Sequence, residues 1–358
     1  MSDEIEIRKV IQSLPGYKAG NQAQEVPGLI PYKLSSNENP VEPLPSVVSV
    51  IAQAALTVHR YPDPSASALT ESISKFCGVD SEQIATGTGS VGVCQQIIQA
   101  LCDADDEVIF AWRSFEAYPI ITAIAGAKSV KVALTSSGDH DLPAMLTSIT
   151  DKTRIIFICT PNNPTGNIVK HDDLVEFLEH VPSEVLVVID EAYIEFNRDN
   201  SAVDSQKIIQ AYPNVGLLRT FSKAYGLAGL RVGYFVGPQL VAEAVRKTAV
   251  PFGVSHVAQV AAIESLNNKD ELMQRVESIV QTREWFEGQL RNLGFDLPDS
   301  QANFVWLALG ERATDFATAC NDVAVAVRPF AGLGVRISIG EKEALERVLQ
   351  VARNFVVN

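Results

Sequence analysis

The sequence has few of the features that mark a secreted, membrane-embedded or nucleic-acid-binding protein. Its cysteines are an odd five, and none forms C-x-x-C. Cys77, Cys94, Cys102, Cys159 and Cys320 sit mostly in apolar runs, which reads as reduced, buried thiols in a cytoplasmic protein rather than a disulfide framework. No apolar run approaches the length of a membrane span. The acidic start Met1-Ser2-Asp3-Glu4-Ile5-Glu6 lacks an apolar h-region, so no secretory signal is expected. Positive charge is scarce: 29 Lys and Arg stand against 43 Asp and Glu, a formal net charge of −14. Such a chain repels phosphate backbones and anionic lipid, which excludes nucleic acid and membrane as expected partners. The five histidines form no H-E-x-x-H and no close pair with cysteine, so no metal is expected. G-x-S-x-G is also missing, and with it any support for a hydrolase triad.

What is present is an alternation of apolar strands and helical patterns. The 358 residues suffice for about two domains. Residues 1–40 read as an irregular N-terminal arm associated with the smaller domain, 41–250 as a large α/β domain, and 251–358 as a smaller α+β domain. Candidate strands Glu107–Trp112, Ser129–Leu134, Arg154–Cys159, Glu184–Ile189 and Val215–Thr220 are nearly continuous in apolarity, as strands buried on both faces of a parallel sheet are. Candidate helices lie between them at Val91–Leu101, Tyr118–Ile124, Asp172–His180 and Val203–Tyr212. Strand–helix alternation predicts βαβ units and a mostly parallel sheet between helices. Beyond residue 250 come a long helix at about Asp270–Leu293, weaker strands at Asn303–Leu309, Val323–Arg328 and Val335–Ile339, and a last helix at about Lys342–Phe355.

In an open α/β sheet, ligands bind beyond the carboxyl ends of the strands. Five such ends carry Gly87-Thr88-Gly89-Ser90-Val91-Gly92, Arg113-Ser114-Phe115, Asn162-Asn163-Pro164-Thr165-Gly166, Asp190-Glu191-Ala192-Tyr193 and Thr220-Phe221-Ser222-Lys223, with Arg231 soon after. Together they supply an anion-binding turn, an aromatic ring, an amide, a carboxylate and a lysine flanked by hydroxyls. That set suits a cofactor with one phosphate, a flat ring, a basic ring nitrogen and an aldehyde. The glycine-rich turn matches G-x-G-x-x-G. The next strand ends on Trp112 rather than an acid, so it reads as a site for one phosphate, or a structural turn, before a dinucleotide site. Asp190 closes an apolar strand, where a carboxylate is costly unless paired. Its partner is either a buried cation or the protonated ring nitrogen of a ligand. Lys223, desolvated and with a cationic neighbour, would have a depressed pKa and could form a Schiff base.

The stretch Ser222-Lys223-Ala224-Tyr225-Gly226-Leu227-Ala228-Gly229-Leu230-Arg231-Val232-Gly233 resembles the lysine motif of fold-type-I aminotransferases that use pyridoxal phosphate (PLP). Asn162-Asn163-Pro164-Thr165-Gly166 and Asp190-Glu191-Ala192-Tyr193 match that family's other hallmarks, in the same order and at similar spacing. Ser35-Ser36-Asn37-Glu38-Asn39-Pro40, Arg60-Tyr61-Pro62 and Gly334–Gly340 narrow the likeness to the histidinol-phosphate-aminotransferase-like branch, and it covers essentially the whole chain.

The resemblance implies an aspartate-aminotransferase-like fold and PLP as cofactor. Lys223 would be the Schiff-base lysine and Asp190 the partner of the pyridine N–H. Asn163 and Tyr193 would bond the ring's 3-oxygen, and Phe115 would stack on the ring. Ser90, Val91, Thr220, Ser222 and Arg231 would hold the phosphate. The resemblance also implies a homodimer in which Tyr61 reaches the neighbouring subunit's cofactor. Arg336, with Arg328, Tyr17 and Asn163, would form the substrate site, Arg336 taking the α-carboxylate.

The stretch Trp112-Arg113-Ser114-Phe115-Glu116-Ala117-Tyr118 is similar to the aromatic (phenylalanine) aminotransferase subgroup of this branch. Tyr17, Phe115, Tyr118 and Phe252 are candidates for an aromatic-tolerant pocket. Phenylalanine, tyrosine and their 2-oxo acids are therefore the expected substrates, with 2-oxoglutarate as acceptor and histidinol phosphate as the alternative. Arg328 leaves that alternative open, since a guanidinium there could hold a phosphate, a side-chain carboxylate or a phenol oxygen.

Overall fold

The computed structural model describes residues 5–355 apart from Lys18; the start Met1–Glu4 lies outside the described residues. The arm expected to be irregular contains a one-turn helix, Lys9–Ser13, and a short strand, β1 (Tyr32–Lys33), and the chain then builds a seven-stranded sheet. Its strands are β2 (Ile84–Gly87), β3 (Glu107–Trp112), β4 (Lys128–Ala133), β5 (Thr153–Cys159), β6 (Leu186–Asp190), β7 (Val215–Thr220) and β8 (Gly233–Val236). They lie in the order β2-β8-β7-β6-β5-β3-β4. The β3–β7 pairs are parallel, while β8 runs antiparallel to both of its neighbours, β2 and β7. Strands β2–β7 therefore all point one way, and their carboxyl ends open on one edge of the sheet.

The apolar runs alternate between two cores. Ile156 and Ile158 of β5, with Val187 and Ile189 of β6, pack into one cluster, while Ile155, Phe157, Leu186 and Val188 pack into the other. Each such side chain contributes about 1.5–3 kcal/mol on burial, so helices cover both faces of the sheet. The crossovers are the helices Gly89–Leu101, Ala117–Ala125, Leu142–Thr147, His171–Leu178 and Ser205–Ala211.

Beyond this sheet, β9 (Phe304–Gly310), β11 (Arg328–Phe330) and β12 (Leu333–Ser338) form an antiparallel sheet in the order β11-β12-β9. β10 (Val325–Ala326) instead pairs in parallel with β1. The helices Lys269–Asn292, Ala313–Asp322 and Lys342–Arg353 accompany these strands.

Two details depart from the sequence reading. The expected strand Val323–Arg328 is split between two sheets, because a uniformly apolar run does not say which neighbour each half will meet. β8 has no counterpart among the expected strands; it is four residues long and follows directly on the lysine motif, so no turn signal sets it apart. The helices Pro45–Ala55, Ser67–Cys77, Gln239–Lys247 and His256–Asn267 are likewise additional to the expected ones.

Candidate active site

The carboxyl edge of the main sheet, β1's flanking residues and β11–β12 enclose a cavity of about 260 Å³. Tyr17, Ser90, Val91, Phe115, Asn163, Asp190, Tyr193, Thr220, Ser222, Lys223, Arg231, Arg328 and Arg336 all line it. Tyr61 does not: it is 82% exposed and its ring stacks on Phe252 at 4.6 Å.

One end of the cavity is built to receive an anion. The helix Gly89–Leu101 starts there, and its first amides have no partner within the helix. Arg231 lies across this turn, donating from Nη1 to Ser222 Oγ at 3.2 Å and to the Ala228 carbonyl at 3.0 Å. The approach demands bare backbone: a Cβ on Gly89, at φ +77°, would collide with the Arg231 guanidinium. Ser222 N–H donates to Thr220 Oγ1 at 3.1 Å, which draws both hydroxyls to the same end.

The middle of the cavity holds Asp190 and Lys223. Asp190, the last residue of β6, is 3% exposed, and burial raises its carboxyl to about 6. Its hydrogen-bond donors are neutral: Tyr118 O–H to Oδ2 at 2.6 Å and Ala192 N–H to Oδ1 at 3.2 Å. Lys223 Nζ donates at 3.3 Å to the carbonyls of Ser36 and Asn37. Burial, then the nearby charges of Arg336 and Arg231, lower its ammonium to about 7, so near neutral pH Lys223 passes readily between base and acid. The Tyr193 ring lies 5.7 Å from Nζ, and burial pushes its phenol up.

At the far end, Arg336 Nη1 donates to Asn163 Oδ1 at 2.6 Å and Nη2 to the Ser35 carbonyl at 2.9 Å. Its Nε–H is buried without a partner. A buried guanidinium with a free donor fits an incoming carboxylate.

Two neighbours of the site, Asn37 and Glu116, have no role in the sequence reading, and Tyr118 and Phe252 lie elsewhere than expected. Asn37 takes φ +53°, a left-handed conformation that asparagine tolerates better than most residues, and its Nδ2 donates to Tyr193 Oη at 3.0 Å. Glu116 accepts from Arg328 Nη2 at 2.9 Å. Tyr118, offered as a pocket aromatic, is instead fully buried behind Asp190 and stacked on Phe157 at 4.6 Å. Phe252, offered likewise, packs on Tyr61 away from the cavity lining.

Residues 30–351 match the family described as aminotransferase class I and II. The chain belongs to that family. This aminotransferase is similar to the aromatic amino acid aminotransferases of Streptomyces avermitilis, at 54% identity over 98% of this chain and 97% of that one, and of Streptomyces coelicolor, at 55% over the same shares. Among solved structures it resembles histidinol-phosphate aminotransferase from Sinorhizobium meliloti in complex with pyridoxal-5'-phosphate. The TM-score there is 0.86, with 28% identity and 99% of each chain covered. Aspartate aminotransferase from Thermus thermophilus, at 21% identity and a TM-score of 0.83, shares the fold. None of this aminotransferase's helices among the described residues is long and apolar enough to cross a membrane. Its five cysteines are buried and unpaired.

Proposed function

We propose that this aminotransferase uses PLP to move an amino group between aromatic amino acids, phenylalanine and tyrosine, and 2-oxoglutarate. The observation that carries the substrate choice is the near-complete, roughly half-identical match to proteins named aromatic amino acid aminotransferase.

The residues fit PLP. Asp190 is a carboxylate buried with neutral donors, which suits a protonated ring nitrogen. Gly89 leaves room for Arg231 beside a helix N-terminus, which suits one phosphate. When bound, PLP supplies an electron sink for the charge left when the substrate's Cα–H bond breaks. Ser90 and Val91 amides, Thr220, Ser222 and Arg231 would hold its phosphate. Asn163 and Tyr193 would bond its 3-oxygen, and Phe115 would cover its ring. Asp190 would keep the ring nitrogen protonated. Arg336 grips the substrate α-carboxylate and so orients the Cα–H bond. Lys223 Nζ would take up and hold the substrate's Cα proton, a role that suits a group with a pKa near neutrality.

The test is kcat/KM for phenylalanine against histidinol phosphate, with 2-oxoglutarate as common acceptor. Phenylalanine should win by about 10- to 150-fold, the equivalent of about 1.5–3 kcal/mol for one unsatisfied charged group. A preference of that size for histidinol phosphate would overturn the aromatic assignment and leave the aminotransferase family intact.

The same reading includes a homodimer. Its support is an exposed aromatic pair, Tyr61 at 82% and Phe252 at 40%, stacked on each other at the surface. Sedimentation should give a dimer, and Tyr61→Ala should weaken both dimer and cofactor retention. A fully active monomer would refute it.

A further inference from the structure

Asn37 lines the cavity, is buried, and meets its surroundings through every polar group it has. Its N–H donates to Ser338 Oγ at 2.8 Å, and Ser338 Oγ gives its own proton to Asn37 Oδ1 at 2.9 Å. Its carbonyl accepts from Lys223 Nζ at 3.3 Å and from Asn303 Nδ2 at 3.2 Å. That leaves Nδ2, which donates to Tyr193 Oη at 3.0 Å.

These bonds fix which way the amide faces. The Asn37 N–H can only donate to Ser338, so the serine hydroxyl keeps its proton for Oδ1, and Nδ2 is turned toward Tyr193. The Tyr193 ring is held separately, edge-on against Phe304 at a centroid distance of 5.1 Å. A phenol has one proton to give. Tyr193 Oη accepts from Asn37, and among the described residues its own proton meets no acceptor. Tyr193 lines the cavity, so that proton is left for an oxygen bound there.

We propose that Asn37 is a positioning residue: by donating to Tyr193 Oη it makes the phenol a donor toward the cavity, and so directs the Tyr193 proton onto the 3-oxygen of the cofactor. The inference rests on the PLP reading above and adds the group that sets the direction of the Tyr193 hydrogen bond. Asn37 acts through Tyr193 and takes no part in proton transfer at the substrate Cα.

The test is calorimetric titration of the cofactor-free protein with 4-deoxypyridoxine 5'-phosphate. This compound has the ring, the 3-oxygen and the phosphate but no aldehyde, so Lys223 cannot bond to it covalently. Asn37→Gly suits the left-handed backbone at φ +53° and removes only the side chain. It should weaken binding by about 5- to 10-fold, and Tyr193→Phe by about 10- to 100-fold, the range for one hydrogen bond to an ionised oxygen. In the Tyr193→Phe background, Asn37→Gly should cost less than about twofold, because the phenol it orients is gone. Asn37→Asp keeps the shape but accepts where asparagine donates, and should weaken binding at least as much as Asn37→Gly. A merely structural Asn37 would cost the same factor with and without the phenol. The same factor for Asn37→Gly in both backgrounds, or an Asn37→Asp affinity within about twofold of wild type, overturns the inference. A wild type that does not bind the compound overturns the PLP reading itself, so the two failures are distinguishable.

Discussion

Replacing Lys223 with alanine should lower the rate of the amino-group half-reaction by about 10⁴-fold, the upper range for loss of a positioned acid–base group. Lys223 Nζ sits in the same cavity as Asp190 and Arg336, and among the described residues no other of that lining is a lysine. Arg231 and Arg336 cannot substitute for it, because a guanidinium does not give up its proton near neutrality. The fold should survive. Burial and two neighbouring arginines already disfavour the Lys223 ammonium, so its removal relieves a cost rather than breaking a support. The check is single-turnover conversion with phenylalanine, alongside melting temperature and cofactor content. Borohydride treatment of the wild type should also attach the pyridoxyl group to the Lys223 peptide. A Lys223→Ala variant retaining more than about a hundredth of the wild-type rate would remove Lys223 from the proposed proton path.

Asp190→Asn should act in opposite directions on activity and stability. Asparagine keeps the shape but cannot hold a protonated ring nitrogen, so turnover should fall by about 10³-fold, the scale for losing one preorganised electrostatic interaction. The cofactor-free protein should become more stable. Burial lifts the Asp190 carboxyl from 3.8 to about 6, so between those values the unfolded chain ionises while the folded one holds its proton. Stability therefore falls as pH rises through that window, by about 3 kcal/mol at 1.36 kcal/mol per unit. The variant lacks this term. Its melting temperature should exceed wild type at about pH 8, and the difference should vanish towards about pH 4. A variant less stable than wild type at the higher pH would mean that Asp190 is paired with a cation in the cofactor-free protein.

Tyr118 shows why the stability effect was not foreseeable from the motif. The four residues Asp190-Glu191-Ala192-Tyr193 identify a buried acid at a strand end. They say nothing about what meets it, and the donor comes from 72 positions away.

The parts of the molecule legible from the residues alone share one property: their signal is local. β5 and β6 declare themselves by unbroken apolarity, because a strand covered on both faces has no polar side to show. The glycine turn before Ser90, the Asp190 strand end and the Ser222–Arg231 run each keep their chemistry within a few consecutive residues. Their order along the chain carries the resemblance to PLP-dependent aminotransferases. What escaped was assembled by pieces of chain brought together only on folding. Glu116 and Arg328 are 212 positions apart; the sequence places Arg328 in the substrate site, but nothing at either position shows that the two pair. Asn37 and Tyr193 are 156 apart. The division of Val323–Arg328 between β10 and β11 is of the same kind, since an apolar strand accepts whichever edge the fold presents. Cofactor chemistry is written in contiguous motifs because strand ends deliver it. The charge balance of the cavity is written across distant segments, because it depends on which side chains the packed sheets bring within hydrogen-bonding distance.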